Sequence, residues 1–390
     1  MRKTLGEVCD FYSGTGFPEK YQGAKKGKYP FYKVGDISKH AQAGKIALDS
    51  AENYIDDDVA ISIKGKIVPP NTIVFAKIGE ALKLNRRAIT SCDSLIDNNA
   101  IGIKPKEEYL DIEYFYFFMK KIKMQDYSES TTVPSVRKSV LEQITIDIPD
   151  KNQQREIVKV LKSVDTVINY KMDCIRLLDD LIKSRFIELF GDPVTNEKRW
   201  TRLTLGDICE IGSSKRVFEK DYVPTGVPFF RTKEIVELSK GNSISTELFI
   251  SEEHFAELRK SYGTPKKDDL LISAVGTIGT IWIVSGEFEF YFKDGNIIQI
   301  KASSHFDSIF MKYLLDELIA NYKKEMSTGT AYAALTIAGL KKMLVNDVPL
   351  NLQKQFATFA EQVDKSKVAV QKSLDSLQCL YDKLMQDYFG

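Results

Sequence analysis

Two nearly identical stretches, one in each half of the chain, decide its fold. Residues 4–10 read TLGEVCD, and residues 204–210 read TLGDICE. A similar offset relates PFYK at 30–33 to PFFR at 228–231, DNNAI at 97–101 to DGNII at 294–298, and FG at 190–191 to FG at 389–390. Such a repeat is far longer than the ~20 to 50 residues of a solenoid unit. We therefore expect a duplicated domain with two related sites about an approximate two-fold axis.

The composition predicts a globular protein. Of its 390 residues, 43% are hydrophobic and 28% are charged. The longest apolar run, residues 270–284, is interrupted by Ser, Gly and Thr and is shorter than the ~20 residues of a membrane span. We interpret it as a strand, a turn and a second strand. The N-terminal segment MRKTLG lacks the apolar core of a signal peptide, which predicts a cytoplasmic protein.

Each half combines a β-rich globular part with helices. Apolar runs such as residues 72–76 and 270–274 are separated by Gly, Asn and Asp, which predicts antiparallel or mixed sheet. Residues 109–123 and 310–324 have apolar side chains at helical spacing. The aromatic run YFYFF at 114–118 could stack on nucleic-acid bases. Contiguous aromatics on a helix are more typical of a core, and we favour that interpretation.

The end of each half has the spacing of a coiled-coil helix. After a capping residue, Asp150 or Asn152, apolar residues follow in steps of four and three, and the second half repeats the pattern at an offset of 199. Lys171 and Lys367 interrupt the pattern; each lysine either fixes the register or extends its ammonium group to solvent. The predicted seam consists of Ile157, Leu161, Val164, Ile168, Ile175, Leu178, Ile182 and Leu189 in the first helix, and of Phe356, Val363, Val370, Leu374, Leu377, Tyr381 and Leu384 in the second.

These patterns predict an α+β fold with two repeated globular domains, separated by a long antiparallel two-helix coiled coil with pseudo-two-fold symmetry. We expect the first globular domain at residues 1–149 and the first long helix at 150–190. A linker and the second globular domain follow at 191–348, and the second long helix at 349–390.

No arrangement of residues typical of an enzyme recurs in the two halves. Residues 275–279, VGTIG, contain glycines but not the lysine of a phosphate-binding loop. Asp97 and Asp294 recur beside Asn and Gly, which is typical of turns. The three histidines do not match across the repeat, and the five cysteines lack metal-ligand spacing. We predict no catalytic residue, metal or cofactor in this chain, and we expect Cys9 and Cys209 to be small core residues.

The chain resembles the specificity (S) subunits of type I restriction-modification enzymes over essentially its whole length. The resemblance lies in the TLGE and TLGD segments, in YPFYKVGDI at 29–37 and VPFFRTKEI at 227–235, and in RFIELFGD at 185–192. It also lies in IP at 148–149 followed by Gln153, and VP at 348–349 followed by Gln353. The second half departs from the family pattern at KQFA, residues 354–357, which blurs the register there by one residue.

The resemblance implies that each globular part is a target recognition domain for one half of a bipartite DNA sequence, with the paired helices setting the spacer. It implies a non-catalytic subunit whose partners are double-stranded DNA and two adenine methyltransferase subunits. S-adenosylmethionine would be bound by the methyltransferase, and ATP and Mg²⁺ by restriction subunits that can join the complex. The net charge of +1 predicts weak DNA binding by the chain alone, because non-specific affinity comes mostly from Lys and Arg.

Candidates for DNA recognition are side chains that form paired hydrogen bonds with base edges. Any single lysine can instead be a solvated surface charge, but the repeat keeps a basic residue at Lys33 and Arg231, which favours these two. In the first domain the candidates are Lys33, Lys77, Lys83, Asn85, Arg86 and Arg87, with Lys25, Lys26 and Lys28 on phosphates. In the second domain they are Lys215, Arg216, Arg231 and Lys233. Two matching loops add Thr131 and Thr132, and Thr328, Thr330 and Tyr332.

The alternative function is a coiled-coil adaptor whose two globular domains bind proteins rather than DNA. A stand-alone enzyme is a weaker third possibility, because no acid, base or ligand set recurs. A DNA mobility shift in the presence of methyltransferase distinguishes the first two.

Overall fold

The chain forms two compact units. The computed structural model describes residues 1–128, 133–327 and 335–390, with residues 325–327 described by their backbone alone. Unit 1 comprises Met1–Lys171 and Ser373–Gly390, and unit 2 comprises Met172–Lys372.

The described residues of the first half, up to residue 190, contain the first ten strands and seven α-helices. The strands are β1 (Arg2–Thr4), β2 (Cys9–Ser13), β3 (Tyr29–Tyr32), β4 (Ala47–Leu48), β5 (Asn53–Ile55), β6 (Ile73–Ala76), β7 (Arg87–Thr90), β8 (Leu95–Ile96), β9 (Ala100–Pro105) and β10 (Thr145–Asp147). The helices are α1 (Leu5–Val8), α2 (Val34–Gln42), α3 (Asp57–Ser62), α4 (Glu80–Lys83), α5 (Ile112–Lys121), α6 (Lys138–Glu142) and α7 (Lys151–Phe190).

The described residues of the second half contain ten further strands and six further α-helices. The strands are β11 (Arg202–Thr204), β12 (Ile211–Gly212), β13 (Tyr222–Val223), β14 (Val227–Phe230), β15 (Phe249–Ile250), β16 (Leu270–Ser273), β17 (Ile281–Ile283), β18 (Tyr291–Phe292), β19 (Ile297–Ile300) and β20 (Leu344–Asn346). The helices are α8 (Leu205–Ile208), α9 (Thr232–Ser239), α10 (Glu252–Tyr262), α11 (Ser308–Ser327), α12 (Ile337–Lys342) and α13 (Leu350–Phe389).

The sheets of the two units correspond to one another. In unit 1 the strand orders are β1-β10, β5-β3-β8 and β2-β9-β6-β7-β4; in unit 2 they are β11-β20, β13-β15-β14-β18 and β12-β19-β16-β17. The pairs β1 with β10 and β11 with β20 are both antiparallel, as are β6 with β9 and β16 with β19. The predicted strand, turn and strand at 270–284 are the antiparallel pair β16 and β17. The predicted duplication of a mixed helix and sheet domain is therefore confirmed.

The repeated TLG sequence is explained by a close backbone approach next to a one-turn helix. A Cβ atom at Gly6 would lie 3.2 Å from the carbonyl oxygen of Glu142 in α6, and one at Gly206 would lie 3.1 Å from the carbonyl oxygen of Lys341 in α12. Leu5, next to Gly6, is completely buried. A side chain at either glycine would push the one-turn helix and its neighbouring helix apart by a few tenths of an ångström, which favours glycine in both copies.

The aromatic run in residues 114–118 belongs to the core of unit 1. Asp111 caps α5, because its carboxylate accepts the backbone N–H groups of Glu113 and Tyr114 at 2.9 and 3.3 Å. Phe115 is completely buried, and Phe117 is nearly so. The core interpretation of these aromatic residues is confirmed, because their rings are unavailable for stacking on bases.

In unit 1, the first part of α7 packs against the last part of α13. Leu161 and Ile168 of α7 share one hydrophobic cluster with Tyr381 and Met385 of α13. Asp150 caps α7 by accepting the backbone N–H groups of residues 152 and 153, each at 2.9 Å. The cap is therefore Asp150 rather than Asn152.

In unit 2, the last part of α7 packs against the first part of α13 in antiparallel orientation. The rings of Phe186 and Phe356 are 5.4 Å apart, whereas Asp179, earlier in α7, bonds to Lys367, later in α13. The residue numbers of the two helices therefore run in opposite directions. Lys367 forms an ion pair with the facing helix segment, rather than extending freely into solvent.

The predicted seam positions all lie on the inward side of their helices. Each has at least a half-buried side chain. Leu161, Ile168, Ile182, Phe356, Val363 and Tyr381 are buried, and Ile157, Val164, Ile175, Leu178, Leu189, Val370, Leu374, Leu377 and Leu384 are half-buried.

Candidate nucleic-acid interface

A basic surface in unit 1 surrounds the start of α2, and we call it the Lys33 surface: Lys25, Lys33, Lys39 and Glu52. The backbone N–H of Lys33 donates to the Asp36 carboxylate at 2.8 Å, which places Lys33 immediately before the helix. Lys25 donates to the Glu52 carbonyl oxygen at 3.0 Å, and Lys39 forms an ion pair with the Glu52 carboxylate.

The electrostatics of Glu52 confirm that these lysines are close together. The hydrogen bond and charge of Lys39, followed by the charges of Lys25 and Lys33, hold the pKa of Glu52 below its ordinary value. Even with the carboxylates of Glu52 and Asp36 counted, the three lysines give the Lys33 surface an excess of positive charge although the chain is nearly neutral. Such a local excess is what phosphate binding requires.

The side chain of Lys33 is held by neighbours that the sequence analysis did not single out. Its ammonium group donates to the Gln22 side-chain oxygen at 2.5 Å and lies 5.7 Å from the centroid of the Phe17 ring. Gln22 is itself fixed, because it donates to the Phe17 carbonyl oxygen at 2.8 Å. Lys33 thus has a defined position. A side chain that contacts one particular base needs such a position.

The two other predicted phosphate contacts in unit 1 are exposed. Lys28 forms an ion pair with Asp57 at 2.7 Å, and both side chains are more than half exposed. Lys26 is also exposed. An exposed ion pair is weak and screened by salt, so Lys28 can exchange Asp57 for a phosphate group at little cost.

The corresponding surface of unit 2 surrounds the start of α9, and we call it the Arg231 surface: Arg216, Tyr222, Arg231 and Asp294. Arg231 donates to the carboxylate of the nearly completely buried Glu234, through its backbone N–H at 2.8 Å and its Nη2 at 3.2 Å. Arg216 donates through Nε to Asp294 at 3.0 Å.

Tyr222 is influenced by charges of both signs. Burial is the largest cause that raises the pKa of Tyr222, and the charges of Arg231 and Asp294 both act on it as well. Asp294 in turn pairs with Arg216. The Arg231 surface presents arginines where the Lys33 surface presents lysines, so the two surfaces differ in side-chain type although they occupy equivalent places.

Lys215 and Lys233 of unit 2 are both exposed. The ammonium group of Lys215 lies 5.3 Å from the centroid of the Tyr262 ring, and its backbone N–H donates to the Tyr291 hydroxyl at 2.9 Å. Lys233 follows Arg231 in the first turn of α9. Neither position prevents contact with a phosphate.

Lys77 lies beside one of the two matching loops. Its backbone N–H donates to the Asn99 carbonyl oxygen at 2.8 Å, and its carbonyl oxygen accepts the Val136 N–H at 2.9 Å. Ala274 is the unit 2 equivalent, with the same two bonds to Asn296 and Leu335. The loop candidates Thr131 and Thr132, and Thr328, Thr330 and Tyr332, lie outside the described residues.

The structure argues against DNA contacts by Asn85 and Arg87. Both side chains bind the carbonyl oxygen of Ile122 at the end of α5, Asn85 at 3.0 Å and Arg87 at 2.6 Å. Arg87 is only 3% exposed. These two residues hold the end of α5 from within the unit, so their side chains are not free to pair with base edges, and we leave them out of the proposed interface.

The remaining candidates in this segment differ. Lys83 is exposed and paired with Glu80 at 2.7 Å, and Arg86 is half-buried at the rim of a cavity. Lys39, Glu52 and Tyr222 are the members of the two surfaces that sequence reasoning missed, and Gln22 is a missed neighbour of Lys33. Lys39 could have been found from the helical pattern, because the buried Ile37 leaves Lys39 on an exposed side of α2. No sequence signal connects Gln22 or Tyr222 to these sites.

Asp97 is a turn residue, as predicted: its carboxylate accepts the N–H groups of Asn99 at 2.7 Å and Val34 at 3.1 Å. No three His, Cys, Asp or Glu side chains come together as a metal site in the part of the chain that the structure describes. Within that same part, each helix is too short or too polar to cross a bilayer.

The two units have corresponding sheets, and each has basic residues at an equivalent helix start and contains parts of two long paired helices. Together they define a duplicated scaffold. A family model described as the type I restriction modification DNA specificity domain matches residues 1–172 and 197–376. The chain belongs to this family. The predicted family is therefore confirmed, and the adaptor alternative is not supported.

Individual relatives agree with the family. The chain is 24% identical to a putative type I restriction enzyme specificity subunit of Haemophilus influenzae, over 93% of this chain and 87% of the relative. It is 23% identical to the MjaIX specificity subunit of Methanocaldococcus jannaschii, over 98% of this chain and 90% of that relative. The solved S subunit of a type I restriction-modification system from M. genitalium aligns with a TM-score of 0.57 at 17% identity, over 100% of this chain and 96% of that one. At that identity the structural likeness concerns the fold alone.

Proposed function

We propose that this chain is the non-catalytic DNA-reading subunit of a type I restriction-modification complex, and that each repeat reads one half of a bipartite target. One observation carries the proposal. The family match falls on both repeats, and each repeat has a basic residue at the same place. These residues are Lys33, immediately before α2, and Arg231, immediately before α9. Because the two surfaces differ in side-chain type, the two half-sites have different sequences.

The charge of the chain supports a requirement for partners. A net charge of +1 gives little long-range attraction for DNA, and the excess on the Lys33 surface is local. Partner subunits that contact the flanking DNA supply the rest of the affinity. The chain itself needs no cofactor: S-adenosylmethionine belongs to the methyltransferase subunits, and ATP and Mg²⁺ to restriction subunits where these join.

Exposed apolar residues on α7 support docking of the methyltransferase subunits on the long helices. In unit 1, Val160, Val167 and Tyr170 are exposed at steps of seven and three; Tyr170 is 70% exposed. In unit 2, Leu177 and Leu181 are exposed at a step of four. These positions are distinct from the seam between α7 and α13, and apolar residues that recur at helical spacing outside a core mark a surface for a partner. We assign one methyltransferase subunit to each unit, and to the helices the role of setting the spacer.

The test is a titration of duplex DNA with the chain alone and with its methyltransferase, combined with mapping of methylated adenines in a genome that expresses both. We expect weak binding alone, tight binding together, and methylation at one two-part sequence with a fixed spacer. Equal DNA affinity with and without the methyltransferase contradicts the requirement for partners. Methylation at a single undivided sequence contradicts the assignment of one half-site to each unit.

A further inference from the structure

A cavity in unit 1 collects basic side chains that the two DNA-facing surfaces do not include. It has a volume of about 280 Å³ and lies among residues of α5, α7, β7 and the segment that follows α2. Four of its lining residues are cationic, Lys45, Arg86, Arg87 and Lys120, and one is a carboxylate, Asp165. This volume is far larger than the ~10 to 15 Å³ that one water molecule needs.

Arg87 is a buried cation without an acidic partner. Its guanidinium group donates to the Asn85 carbonyl oxygen at 3.3 Å, to the Asn85 side-chain oxygen at 3.0 Å and to the Ile122 carbonyl oxygen at 2.6 Å, all of them neutral acceptors. Its Nε is buried and has no hydrogen-bond partner. Burial lowers the pKa of Arg87 to about 9. A buried charge without a counterion is unfavourable, and proteins normally provide an opposite charge.

The second repeat shows that the fold does not require arginine here. Arg87 pairs with Phe75 in the β6–β7 ladder, and at the same place in the β16–β17 ladder Ile281 pairs with Ile272. Ile281 is buried in the same way, as an ordinary apolar core residue. A charged side chain in unit 1, where unit 2 has a hydrocarbon, indicates a role other than packing.

Lys120 of the cavity has also been replaced in the second repeat. It stands nine residues after the capping residue Asp111 of α5, and Asp316 stands nine residues after the equivalent capping residue Asp307 of α11. The positive charge is therefore particular to unit 1 rather than part of the shared framework.

Two of the four cations are already neutralised and two are not. Lys120 forms an ion pair with Asp165 at 2.9 Å, and Lys45 forms one with Asp49 at 2.9 Å. Arg86 has no hydrogen bond or ion pair with any residue that the structure describes. Arg86 and Arg87 thus leave two guanidinium charges at one cavity.

We propose that this cavity binds a phosphate-class oxyanion, with Arg86 as its principal ligand and Arg87 as the buried charge that it balances. A guanidinium group offers a planar fork of N–H donors that matches two oxygens of a phosphate, and among the described residues none occupies the fork of Arg86. The anion has two possible sources, free inorganic phosphate or a backbone phosphate of bound DNA. Only the second source rests on the proposed function.

The first experiment follows thermal unfolding of the full chain in inorganic phosphate, with ionic strength held constant by sodium chloride. Phosphate at about five times its Kd raises the midpoint of unfolding by about 2 to 4 °C. Arg86→Gln abolishes this shift and keeps the phosphate-free midpoint, because Arg86 makes no bond to lose. The exposed Lys66→Gln is the matched control and keeps the shift. A shift of equal size in the Arg86→Gln protein overturns the site.

The second experiment identifies the source of the anion by using the complex with methyltransferase. If the anion is a DNA phosphate, Arg86→Gln reduces the slope of log K against log salt concentration by about 1, and free phosphate competes with DNA. If the anion is free phosphate, the slope is unchanged while the thermal shift remains dependent on Arg86. If Arg86→Gln changes neither the thermal shift nor the salt slope, the proposal is overturned. Failure of the complex to bind DNA at all contradicts the proposed function but leaves the thermal test valid.

Discussion

Gln154 and Gln353 make the same three hydrogen bonds at the start of the two long helices. The side-chain oxygen of Gln154 accepts the N–H of Asp111 at 2.7 Å, and its nitrogen donates to the carbonyl oxygens of Tyr109 and Pro149 at 2.8 and 2.9 Å. Gln154 is completely buried. It therefore joins the start of α5, the connection before α7 and α7 itself.

Gln353 joins the equivalent elements of unit 2. Its side-chain oxygen accepts the N–H of Asp307 at 2.8 Å, and its nitrogen donates to the carbonyl oxygens of His305 and Val348 at 3.3 and 2.7 Å. The bonding shows that the partner of Gln353 in the repeat is Gln154, and that the pairing with Gln153 made from the sequence is wrong. Gln153 is exposed and bonds only near its own helix start.

Replacing either buried glutamine with leucine lowers the stability of the chain. Gln154→Leu leaves the N–H of Asp111 and two carbonyl oxygens without partners in the interior, and Gln353→Leu does the same in unit 2. We expect each change to lower the free energy of unfolding by about 1 to 3 kcal/mol, measured by urea denaturation. Gln153→Leu is the matched control and is nearly neutral. Equal effects of the changes at 153 and 154 would restore the sequence pairing.

The helical seam contains the signal that identifies Gln154. The steps of four and three that give Ile157 and Leu161 extend backwards to residue 154, just as Phe356 extends backwards to 353. Counting from Pro149 and Pro349 instead gave Gln153, because the proline is the second of three residues in the connection before α7 and the last of three in the connection before α13. Long-period patterns, which average over many residues, thus predicted the repeat and both helices, while short motifs anchored on one proline did not fix the register.

The side-chain environments of the candidate site could not be obtained in the same way. Asn85 and Arg87 have the residue types of base readers, but their acceptor is the carbonyl oxygen of Ile122, 35 residues after Arg87. Likewise Glu52 draws Lys25 and Lys39 together from separate elements. Which way a polar side chain faces depends on partners brought by the tertiary fold, and no local pattern encodes them.

The five thiols should react at rates that follow their burial. Burial raises the pKa of the Cys9 thiol far above its ordinary value, and raises that of Cys209 to about 12. Cys92, Cys174 and Cys379 are exposed. Because only the thiolate is alkylated, we expect iodoacetamide at pH 8 to label the three exposed thiols first, as measured by mass spectrometry of peptides.

The same pKa shift sets a pH dependence for stability. The folded chain holds the Cys9 proton more tightly than the unfolded chain, so the contribution of Cys9 is complete below the ordinary thiol pKa of 9.0 and is lost as the pH rises above it. Cys9→Ala should therefore flatten the decline of stability above pH 9. The labelling experiment has its own control, because in urea all five thiols should react alike. Equal rates for Cys9 and Cys92 in the folded chain would contradict the buried position of the Cys9 side chain.

The ion pair between Lys367 and Asp179 should couple weakly. Both side chains are about one-third to one-half exposed, so solvent screens their attraction. A double-mutant cycle with Lys367→Ala and Asp179→Ala should give a coupling of about 0.2 to 1 kcal/mol.

Lys367→Ile, which copies Ile168 at the equivalent position of the first seam, should raise the midpoint of thermal unfolding, because a lone polar residue in a seam costs stability. A lower midpoint would mean that Lys367 stabilises the helix pair itself.

Arg231 has two roles that different substitutions separate. Arg231→Ala removes the ion pair to the buried Glu234, which keeps only the backbone N–H of residue 231, so unit 2 loses about 1 to 2 kcal/mol of stability whether or not DNA is bound.

Arg231→Lys keeps the charge but loses the fork that contacts two base atoms. If Arg231 reads a base, Arg231→Lys relaxes one position of one half-site in the map of methylated adenines and leaves the other half-site unchanged. Lys233→Ala is the control for a phosphate contact, with weaker binding to all sequences and a salt slope reduced by about 1. A uniform effect of Arg231→Lys on all sequences would assign Arg231 to phosphate as well.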